Sequence, residues 1–250
     1  MRVKLPNGYI DGQDHFQYVD IDELRGKQQN YLADQELVVG NVGHIPKLLE
    51  DMILSLKTKE GLEWKGDKKD LIWELPMGDL ETLLIKIREN TYGSRYYFVA
   101  ECEVCKHQDT DLRLDLDKLE IKSLSLKELL KKKIIKLPKS KQEVEVKPLM
   151  LRDLFESLRI AKEGQDKLVT SFLALAIKRL GDKSDIKPED LENIPVTDIK
   201  FLGEQVESIK IQGNIDTDVE ITCSKCKHNY ISKLNCFDAS FFDPSKESTS

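Results

Sequence analysis

Two short cysteine motifs are the residues of this sequence best suited to metal chemistry. Residues 102–107 read Cys-Glu-Val-Cys-Lys-His, and residues 223–228 read Cys-Ser-Lys-Cys-Lys-His. Each motif lies between two alternating, β-prone stretches, which is typical of a zinc knuckle, where the turn of a β-hairpin presents two thiolates to one ion. A closed structural zinc site needs four ligands. The two motifs therefore predict one structural Zn²⁺ ion bound by Cys102, Cys105, Cys223 and Cys226.

The distance between the motifs leaves alternatives open. Cys102 and Cys223 are 121 residues apart, whereas the cysteine pairs of a compact zinc ribbon are separated by roughly 20 residues. Each motif could instead complete its own site with His107 or His228, or the four thiols could bind no metal. Each histidine lies only two residues after the second cysteine, so we interpret both as surface residues. A lysine follows each second cysteine directly, which excludes c-type haem attachment.

The overall composition is that of an ordinary globular protein. The chain has 250 residues, a formal net charge of −6, an isoelectric point of about 5.4 and 34% charged residues. We therefore expect a soluble protein with one large domain or two modest ones. The negative net charge argues against general nucleic-acid binding, which favours a basic surface. No stretch approaches the roughly 20 apolar residues of a membrane span.

The use of cysteine indicates the compartment. Four of the five cysteines belong to the two motifs, and the first residues lack the pattern of a signal peptide. This combination indicates a reducing compartment, and metal binding rather than disulfides. The fifth cysteine, Cys236, is predicted to be a small buried residue.

The motifs of common enzymes are absent from the sequence. There is no Gly-x-Ser-x-Gly, His-Glu-x-x-His, Walker loop or dinucleotide-binding fingerprint. Four histidines leave little capacity for general-base catalysis, and a zinc ion closed by four thiolates has no open position for water. We therefore predict a protein that is not an enzyme, without catalytic residues and without a cofactor other than zinc.

Similar segments recur in the same order in the two halves of the chain. Residues 3–6 (Val-Lys-Leu-Pro) resemble residues 135–138 (Ile-Lys-Leu-Pro), and residues 75–80 (Leu-Pro-Met-Gly-Asp-Leu) resemble residues 194–199 (Ile-Pro-Val-Thr-Asp-Ile). Both members of the second pair lead into a helix, a strand and a cysteine motif. The ordered matches predict an ancient duplication. We therefore predict an α+β fold of two similar lobes, each with a β-hairpin, several helices and a β-ribbon zinc knuckle.

The predicted boundaries follow from this repeat. They are a first lobe at residues 1–120, a basic linker at 121–134, a second lobe at 135–237 and a tail at 238–250. The linker segment Lys127–Lys133 predicts a short helix with a basic face. Such a run invites a nucleic-acid or membrane-surface interpretation, but in an acidic chain we interpret it as a solvated face or a contact for an acidic partner. In the tail, Phe241 and Phe242 form either a docking motif or a lid on the protein's own core.

Apolar periodicity predicts the main helices. Gly26 is expected to interrupt a polar helix or turn, and Thr197 is expected to cap a helix N-terminally. The predicted helices run from Pro46 to Leu56, from Asp79 to Asn90 with Gly93 as a left-handed cap, from Leu168 to Leu180, and from Thr197 to Ser208.

A set of segments in the first half carries a family resemblance. They are Leu5-Pro6-Asn7-Gly8-Tyr9, Leu24-Arg25-Gly26 followed by Tyr31-Leu32, Gly78-Asp79-Leu80 before Leu83-Leu84-Ile85-Lys86-Ile87-Arg88, Thr91-Tyr92-Gly93, and Cys102-x-x-Cys105. Together they resemble the T4-type phage baseplate hub and tail-assembly protein family. The resemblance covers the first 120 residues best, and the second lobe resembles a degenerate copy.

The resemblance implies a small soluble protein that helps to build the central hub of a contractile-tail baseplate, as a minor component or as an assembly factor. Its partners would be other phage tail and baseplate proteins. Its location would be the host cytoplasm during assembly and, for a component that stays in the particle, the baseplate of the virion tail. No enzyme activity comes with the resemblance.

A zinc-ribbon nucleic-acid-associated factor, such as a transcription accessory protein, is the alternative function. Lys106, Lys225, Lys227 and Lys233 offer a modest basic face around the motifs, and such a factor would bind DNA or RNA in a salt-sensitive way. A Cys-x-x-Cys redox enzyme would need a thiol at a helix N-terminus. The strands predicted on both sides of each motif argue against that third reading.

Overall fold

The chain folds into several small antiparallel sheets and a set of mostly short helices, so the predicted α+β class is confirmed. This computed structural model describes residues 1–33, 42–163, 168–211 and 213–243. Within these ranges, none of the helices combines the length and the apolar character that crossing a bilayer requires.

The first half contains a sheet, a long helix and a separate hairpin. Its elements are β1 (Arg2–Asp11), β2 (Asp14–Ile21), α1 (Gly26–Leu32), α2 (Ile45–Met52), β3 (Ile53–Lys57), α3 (Lys68–Trp73), α4 (Met77–Tyr92), β4 (Arg95–Glu101) and β5 (Gln108–Asp115). The sheet has the order β1-β2-β3, and all its neighbours are antiparallel. The hairpin pairs β4 with β5.

The second half repeats this sequence of elements. After β6 (Ile121–Lys122) and α5 (Leu126–Leu129) come β7 (Lys133–Lys136), β8 (Glu143–Val146), α6 (Leu151–Glu163), α7 (Leu168–Ala176), β9 (Ile177–Leu180), α8 (Pro188–Glu192), α9 (Val196–Ile211), β10 (Asn214–Ile215), β11 (Asp218–Thr222) and β12 (Asn229–Lys233). The sheet order is β7-β8-β9, and β11 pairs with β12. In both halves the chain runs through two strands, two helices, a third strand, a short helix, a long helix and a hairpin.

A buried aspartate fixes β1 to α4. Asp79, the third residue of α4, is 0% exposed. Its carboxylate accepts hydrogen bonds from the backbone N–H groups of Asn7 (2.7 Å) and Gly8 (2.8 Å) and from the Asn7 side chain (3.2 Å). These N–H groups are available because the pairing of β1 with β2 is interrupted between Lys4 and Tyr9. The carboxylate thus replaces the missing strand partner.

The second half contains the same arrangement. Asp198, the third residue of α9, is also 0% exposed. Its carboxylate accepts hydrogen bonds from the backbone N–H groups of Lys139 and Ser140, both at 2.8 Å. A negative charge in the first turn of a helix is also favoured by the helix dipole.

The two carboxylates differ in their acidity. Burial raises the pKa of Asp79 to about 7, although the N–H groups of Asn7 and Gly8 act in the opposite direction. Burial also acts to raise the pKa of Asp198, but the N–H groups of Lys139 and Ser140 and the Lys139 charge outweigh it and lower that pKa below its usual range. The difference gives the two sites opposite effects on stability as the pH changes.

The two halves contact each other directly next to Asp79. The Asn7 side-chain amide donates a hydrogen bond to the Gly213 carbonyl oxygen (2.6 Å). A side chain at Gly78 would place its Cβ 2.3 Å from the same oxygen, so the close approach requires glycine. Just beyond, β10 pairs with β6. The connection that follows α9 is therefore packed against the first half.

The main hydrophobic core also includes residues of both halves. It is built on the first sheet, α2 and α4, and it takes in the start of α6, β10 and the residues after β12. A second, smaller core lies between the β7-β8-β9 sheet, α7 and α9. Cys236 is 1% exposed in the main core, as predicted.

The C-terminal segment closes the main core. Phe241 and Phe242 are 1% and 3% exposed, so they form a lid and not an exposed docking motif. The buried Arg88 side chain donates a hydrogen bond from Nε to the Phe241 carbonyl oxygen (2.8 Å), and its guanidinium lies 4.7 Å from the centre of the Tyr96 ring. Residues 244–250 of the predicted tail lie outside the described residues.

Two predicted helices are too long, for the same reason. The helix predicted from Pro46 to Leu56 ends at Met52, and Ile53 to Lys57 form β3. The helix predicted from Leu168 to Leu180 ends at Ala176 and is followed by β9. In both places an apolar run continues from the helix into a buried strand without a break, and periodicity cannot separate the two over so few residues.

Smaller predictions are also corrected. Gly26 begins α1 and does not interrupt a helix. Thr197 is the second residue of α9 and not its cap, because the helix begins at Val196. The basic linker helix α5 has only four residues. The helix α3 was not predicted, because its sequence is too polar and too short to show periodicity.

The two aspartates provide a matched test of pH-dependent stability. The folded state binds a proton at Asp79 more tightly than the unfolded chain, with a pKa of about 7 against 3.8, so this site loses stabilisation as the pH rises between those values. We expect Asp79→Asn to lower the free energy of unfolding, relative to wild type, by on the order of 2 kcal/mol less at about pH 8 than at about pH 5. Urea unfolding at the two pH values measures it.

Asp198→Asn is the control for this experiment. Its lowered pKa means that the carboxylate is ionised at both pH values in the folded and in the unfolded state. Asp198→Asn should therefore lower the free energy of unfolding by the same amount at both pH values. An equal cost of Asp79→Asn at the two pH values would contradict the assignment of the raised pKa.

Candidate metal centre

The first cysteine motif forms the turn between β4 and β5. The Cys102 N–H donates a hydrogen bond to the His107 carbonyl oxygen (2.9 Å), and the Lys106 N–H donates one to the Cys102 carbonyl oxygen (2.9 Å). Lys106 has a φ of 57°, in the left-handed region that a non-glycine residue rarely occupies. This conformation closes the turn and directs both cysteine side chains to the same side.

The second motif forms the same turn between β11 and β12. The Cys223 N–H donates to the His228 carbonyl oxygen (2.9 Å), and the Lys227 N–H donates to the Cys223 carbonyl oxygen (3.0 Å). Lys227 has a φ of 62°. Both turns therefore have the same hydrogen bonds and the same left-handed lysine, although the residues between their cysteines differ.

The fold brings the two turns together. The sulfur atoms of the four cysteines all lie within 4.8 Å of one another. Two of the pairs cross from one motif to the other: Cys102 Sγ lies 3.6 Å from Cys226 Sγ, and Cys105 Sγ lies 3.6 Å from Cys223 Sγ. All four thiols are free, since these distances are far longer than a disulfide bond.

The geometry of the cluster fits a tetrahedral metal ion. Zinc–sulfur bonds of about 2.3 Å in a tetrahedron place the sulfur atoms about 3.8 Å apart. The observed separations, from 3.6 Å to at most 4.8 Å, are close to that value. The four sulfur atoms can therefore hold one metal ion, and the distances do not say which metal.

The cluster lies at the end of a small apolar core between the two hairpins. Its buried members are Ala100, Cys102, Ile221, Cys223 and Tyr230. Cys102 and Cys223, the first cysteine of each motif, are 0% exposed, whereas Cys105 is half-buried and Cys226 is exposed. One side of the cluster is thus sealed by protein, and the other side is close to solvent.

The pKa values of the two cysteines in the second motif are shifted in opposite directions. The N–H groups of Cys226 and Lys225 point at the Cys223 sulfur and lower its pKa to about 7. The His228 N–H acts to lower the pKa of Cys226, but burial and the neighbouring thiols raise it to about 12. Four thiolates at this distance require a cation among them.

The two histidines contact the opposite motif and not the sulfur atoms. His107 Nε2 lies 3.0 Å from Ser224 Oγ, and His228 Nε2 lies 3.1 Å from Glu103 Oε1. Ser224 and Glu103 occupy the same position, directly after the first cysteine of each motif. The histidines therefore link the two turns crosswise around the cluster, a role that was not predicted. The prediction that they are surface residues agrees with their positions, since both are partly exposed.

A second acidic contact reinforces the link between the turns. The Ser224 N–H faces the Asp109 carboxylate at 3.3 Å, and His107 Nε2 lies 3.7 Å from the same carboxylate. The hydroxyl of Ser224 and its N–H lower the pKa of Asp109 despite burial. Because the contact of Ser224 with Asp109 joins residues 115 positions apart in sequence, only the fold could show it.

Comparison with known proteins places the chain in a family. The model of the family described as "T4 bacteriophage base plate protein" matches residues 44–242. The match covers most of the chain and includes both cysteine motifs, so it extends far beyond the first 120 residues that carried the resemblance best. No curated protein and no solved structure matches the chain. On the family match, the chain belongs to the T4 bacteriophage base plate proteins.

Proposed function

We propose that this base plate protein is a non-enzymatic component or assembly factor of the baseplate hub, and that it acts as a two-lobed protein-binding scaffold held by structural zinc. The observation that carries the proposal is the sulfur cluster, which joins two hairpins 121 residues apart in a chain that matches the family over residues 44–242. Other phage tail and baseplate proteins are the expected partners, in the host cytoplasm during assembly and in the finished tail.

The choice of zinc rests on the chemistry of the donor set. Four cysteine sulfur atoms in a tetrahedral arrangement are typical of structural zinc sites. An ion closed by four thiolates has no open position for a substrate, so it would stabilise the fold and not catalyse a reaction. Cys102, Cys105, Cys223 and Cys226 would supply the four bonds, one turn providing each pair.

We also propose that the two lobes arose by duplication. Both halves have the same order of elements, both use an aspartate at the third position of the long helix to bind the turn-like segment after a Leu-Pro pair, and both end in the same cysteine turn. The lobes are not independent, because the main core includes residues of both halves. The predicted divisions at residues 120, 134 and 237 remain part of this proposal.

The zinc ion is tested by its stoichiometry. We expect one zinc per chain in native mass spectrometry of protein purified without chelator, and we expect Cys105→Ser to lose the ion and melt at a lower temperature, since one thiolate fewer leaves the site open. Two ions per chain would contradict the shared site, and so would a metal-free wild-type protein with four free thiols.

Two controls separate the cluster from other groups. Cys236→Ala removes the fifth thiol, which is buried outside the cluster, and should keep one zinc. The double variant His107→Ala and His228→Ala should also keep one zinc, because both rings contact Ser224 and Glu103 and not the ion. Loss of zinc in the histidine variant would show that an imidazole is a ligand.

The duplication is tested by exchanging the two turns. If they are equivalent, a chain with residues 102–107 and 223–228 exchanged should bind one zinc, because both crosswise histidine contacts are preserved. It should unfold somewhat below the wild-type temperature, because Ser224→Glu places a second carboxylate beside Asp109. Replacing only residues 223–228 by the sequence of 102–107 would place two glutamates beside the histidines and should be less stable. If both altered chains lost the same amount in unfolding temperature, measured with zinc present, the two turns would not be equivalent.

The scaffold role is tested in phage assembly. A phage that lacks this gene should fail to form complete baseplates in electron micrographs, and the wild-type protein supplied in trans should restore them. Because the proposal requires the zinc-linked lobes, Cys105→Ser should not restore assembly, whereas Cys236→Ala should. Complete baseplates without the protein would overturn the proposal.

A further inference from the structure

The positive charge of this acidic protein is concentrated in one segment. Residues 127–141 contain seven lysines and one glutamate, in a chain whose net charge is −6. Most of these lysines are exposed. Such a concentration creates a local field opposite in sign to that of the whole protein, and it favours contact with negatively charged groups.

Part of this segment borders a cavity at the junction of the two halves. The cavity measures about 180 Å³ and lies between the residues that follow α5 and the connection from β8 to α6, with Asn7 of the first half also in its wall. Its size suits one or two side chains and not a nucleic-acid duplex. We call it the basic cleft, and it is lined by Leu130, Lys131, Lys132, Lys133, Lys147 and Lys178, among others.

The carboxylates of the basic cleft already have partners. Glu145 is 5% exposed and pairs with Lys178 (3.3 Å) and Arg179 (3.5 Å). Glu128 accepts hydrogen bonds from the N–H and the hydroxyl of Ser125 in the cap of α5. Neither carboxylate forms an ion pair with Lys131, Lys132 or Lys133, although the charge of Lys132 also contributes to lowering the pKa of Glu145.

Three consecutive lysines in the basic cleft remain without an ion pair in the part of the chain that the structure describes. These three are Lys131, Lys132 and Lys133. The other two lysines of the cleft do form ion pairs, Lys147 with Asp153 and Lys178 with Glu145. Burial, together with the charge of Lys131, lowers the pKa of Lys133. An incoming anion would relieve both effects, because it would compensate the partly buried ammonium group.

The lining of the basic cleft also includes an exposed apolar side chain. Leu130 is 64% exposed. An exposed aliphatic side chain next to cations without ion pairs fits a polypeptide that carries both acidic and apolar side chains better than it fits a small inorganic anion.

We propose that the basic cleft docks an acidic segment of a partner protein, with one carboxylate entering between Lys131 and Lys133 and a neighbouring apolar side chain covering Leu130. This inference deepens the proposed function, since it states the chemistry of the partner segment. Lys132 and the other lysines of residues 127–141 attract the segment at longer range, so binding weakens as the salt concentration rises.

A peptide-display library of random decapeptides tests the proposal on the full-length, zinc-loaded protein. Selected sequences should be enriched in Asp and Glu next to aliphatic residues. A synthetic peptide of the consensus should bind the double variant Lys131→Gln and Lys133→Gln about tenfold or more weakly than wild type. Leu130→Ser should also weaken binding, and a peptide with Gln and Asn in place of its acidic residues should not bind.

The matched control is the double variant Lys127→Gln and Lys136→Gln. It removes the same charge from the same segment but changes residues outside the basic cleft, so it should bind nearly as well as wild type. If the two double variants lost the same amount of peptide affinity, general charge attraction would explain the binding, and the proposal would be overturned.

Other outcomes also overturn it. Failure to select peptides, selection without acidic enrichment, competition by inorganic phosphate at equal concentration, or tighter binding of a DNA duplex than of the peptide would each assign the lysines another role. Zinc stoichiometry and phage complementation are measured separately. Failure of the peptide-binding experiment would therefore leave the scaffold proposal unchanged. Failure of the zinc or complementation experiment would not be mistaken for loss of binding at the basic cleft.

Discussion

The arrangement of the two hairpins depends on the meeting of four sulfur atoms from turns that are 121 residues apart. A cross-link that closes a loop of this length removes roughly 5 kcal/mol of chain entropy from the unfolded state. Structural zinc sites provide about 10–16 kcal/mol of apparent binding energy, which exceeds that entropic cost. By contrast, the apolar core between the hairpins is small: among the described residues it has five buried members, two of them cysteines of the cluster, with four partly buried side chains packed against them. Metal binding is therefore the interaction suited to hold the hairpins together.

The two buried aspartates lie at the N-terminal ends of the long helices α4 and α9, and the cysteine hairpins follow the C-terminal ends of these helices. Asp79 ties α4 to the interrupted strand β1, and Asp198 ties α9 to the segment after β7. Each long helix is thus anchored by a carboxylate at its start and leads into a cysteine hairpin beyond its end. Since Asn7 binds both Asp79 and Gly213, the first anchor also joins the two halves. Movement of one half relative to the other would break contacts at both ends.

The sequence predicted the features that repeat locally and missed those that depend on distant residues. The cysteine spacing predicted both hairpin turns, and the recurrence of Leu-Pro pairs and aspartates matched the order of elements. The strands β3 and β9 were missed because a short apolar strand that continues directly from a helix has no distinct period of its own. Their pairing with β2 and β8 determines their conformation.

The cysteine cluster also combines features that the sequence predicted with features that depend on distant residues. The four cysteines could be named from spacing alone, but the contacts of His107 with Ser224 and of His228 with Glu103 could not, because each joins residues more than 100 positions apart. A histidine two residues after a cysteine pair is a weak signal by itself. Both histidines were therefore interpreted as surface residues, and the fold was needed to show that they link the turns.

The position of the basic cleft connects the scaffold to partner binding. Its wall contains Asn7 from the first half, the linker lysines, and Lys147 and Lys178 from the second half. Asn7 is held by Asp79 and Gly213, so the width of the cleft depends on how the halves are joined. Zinc bound between the hairpins would constrain the same relative placement from the other end of the long helices. Under the proposed function, a structural metal would therefore contribute to partner binding by constraining the shape of a surface that both halves of the chain build together.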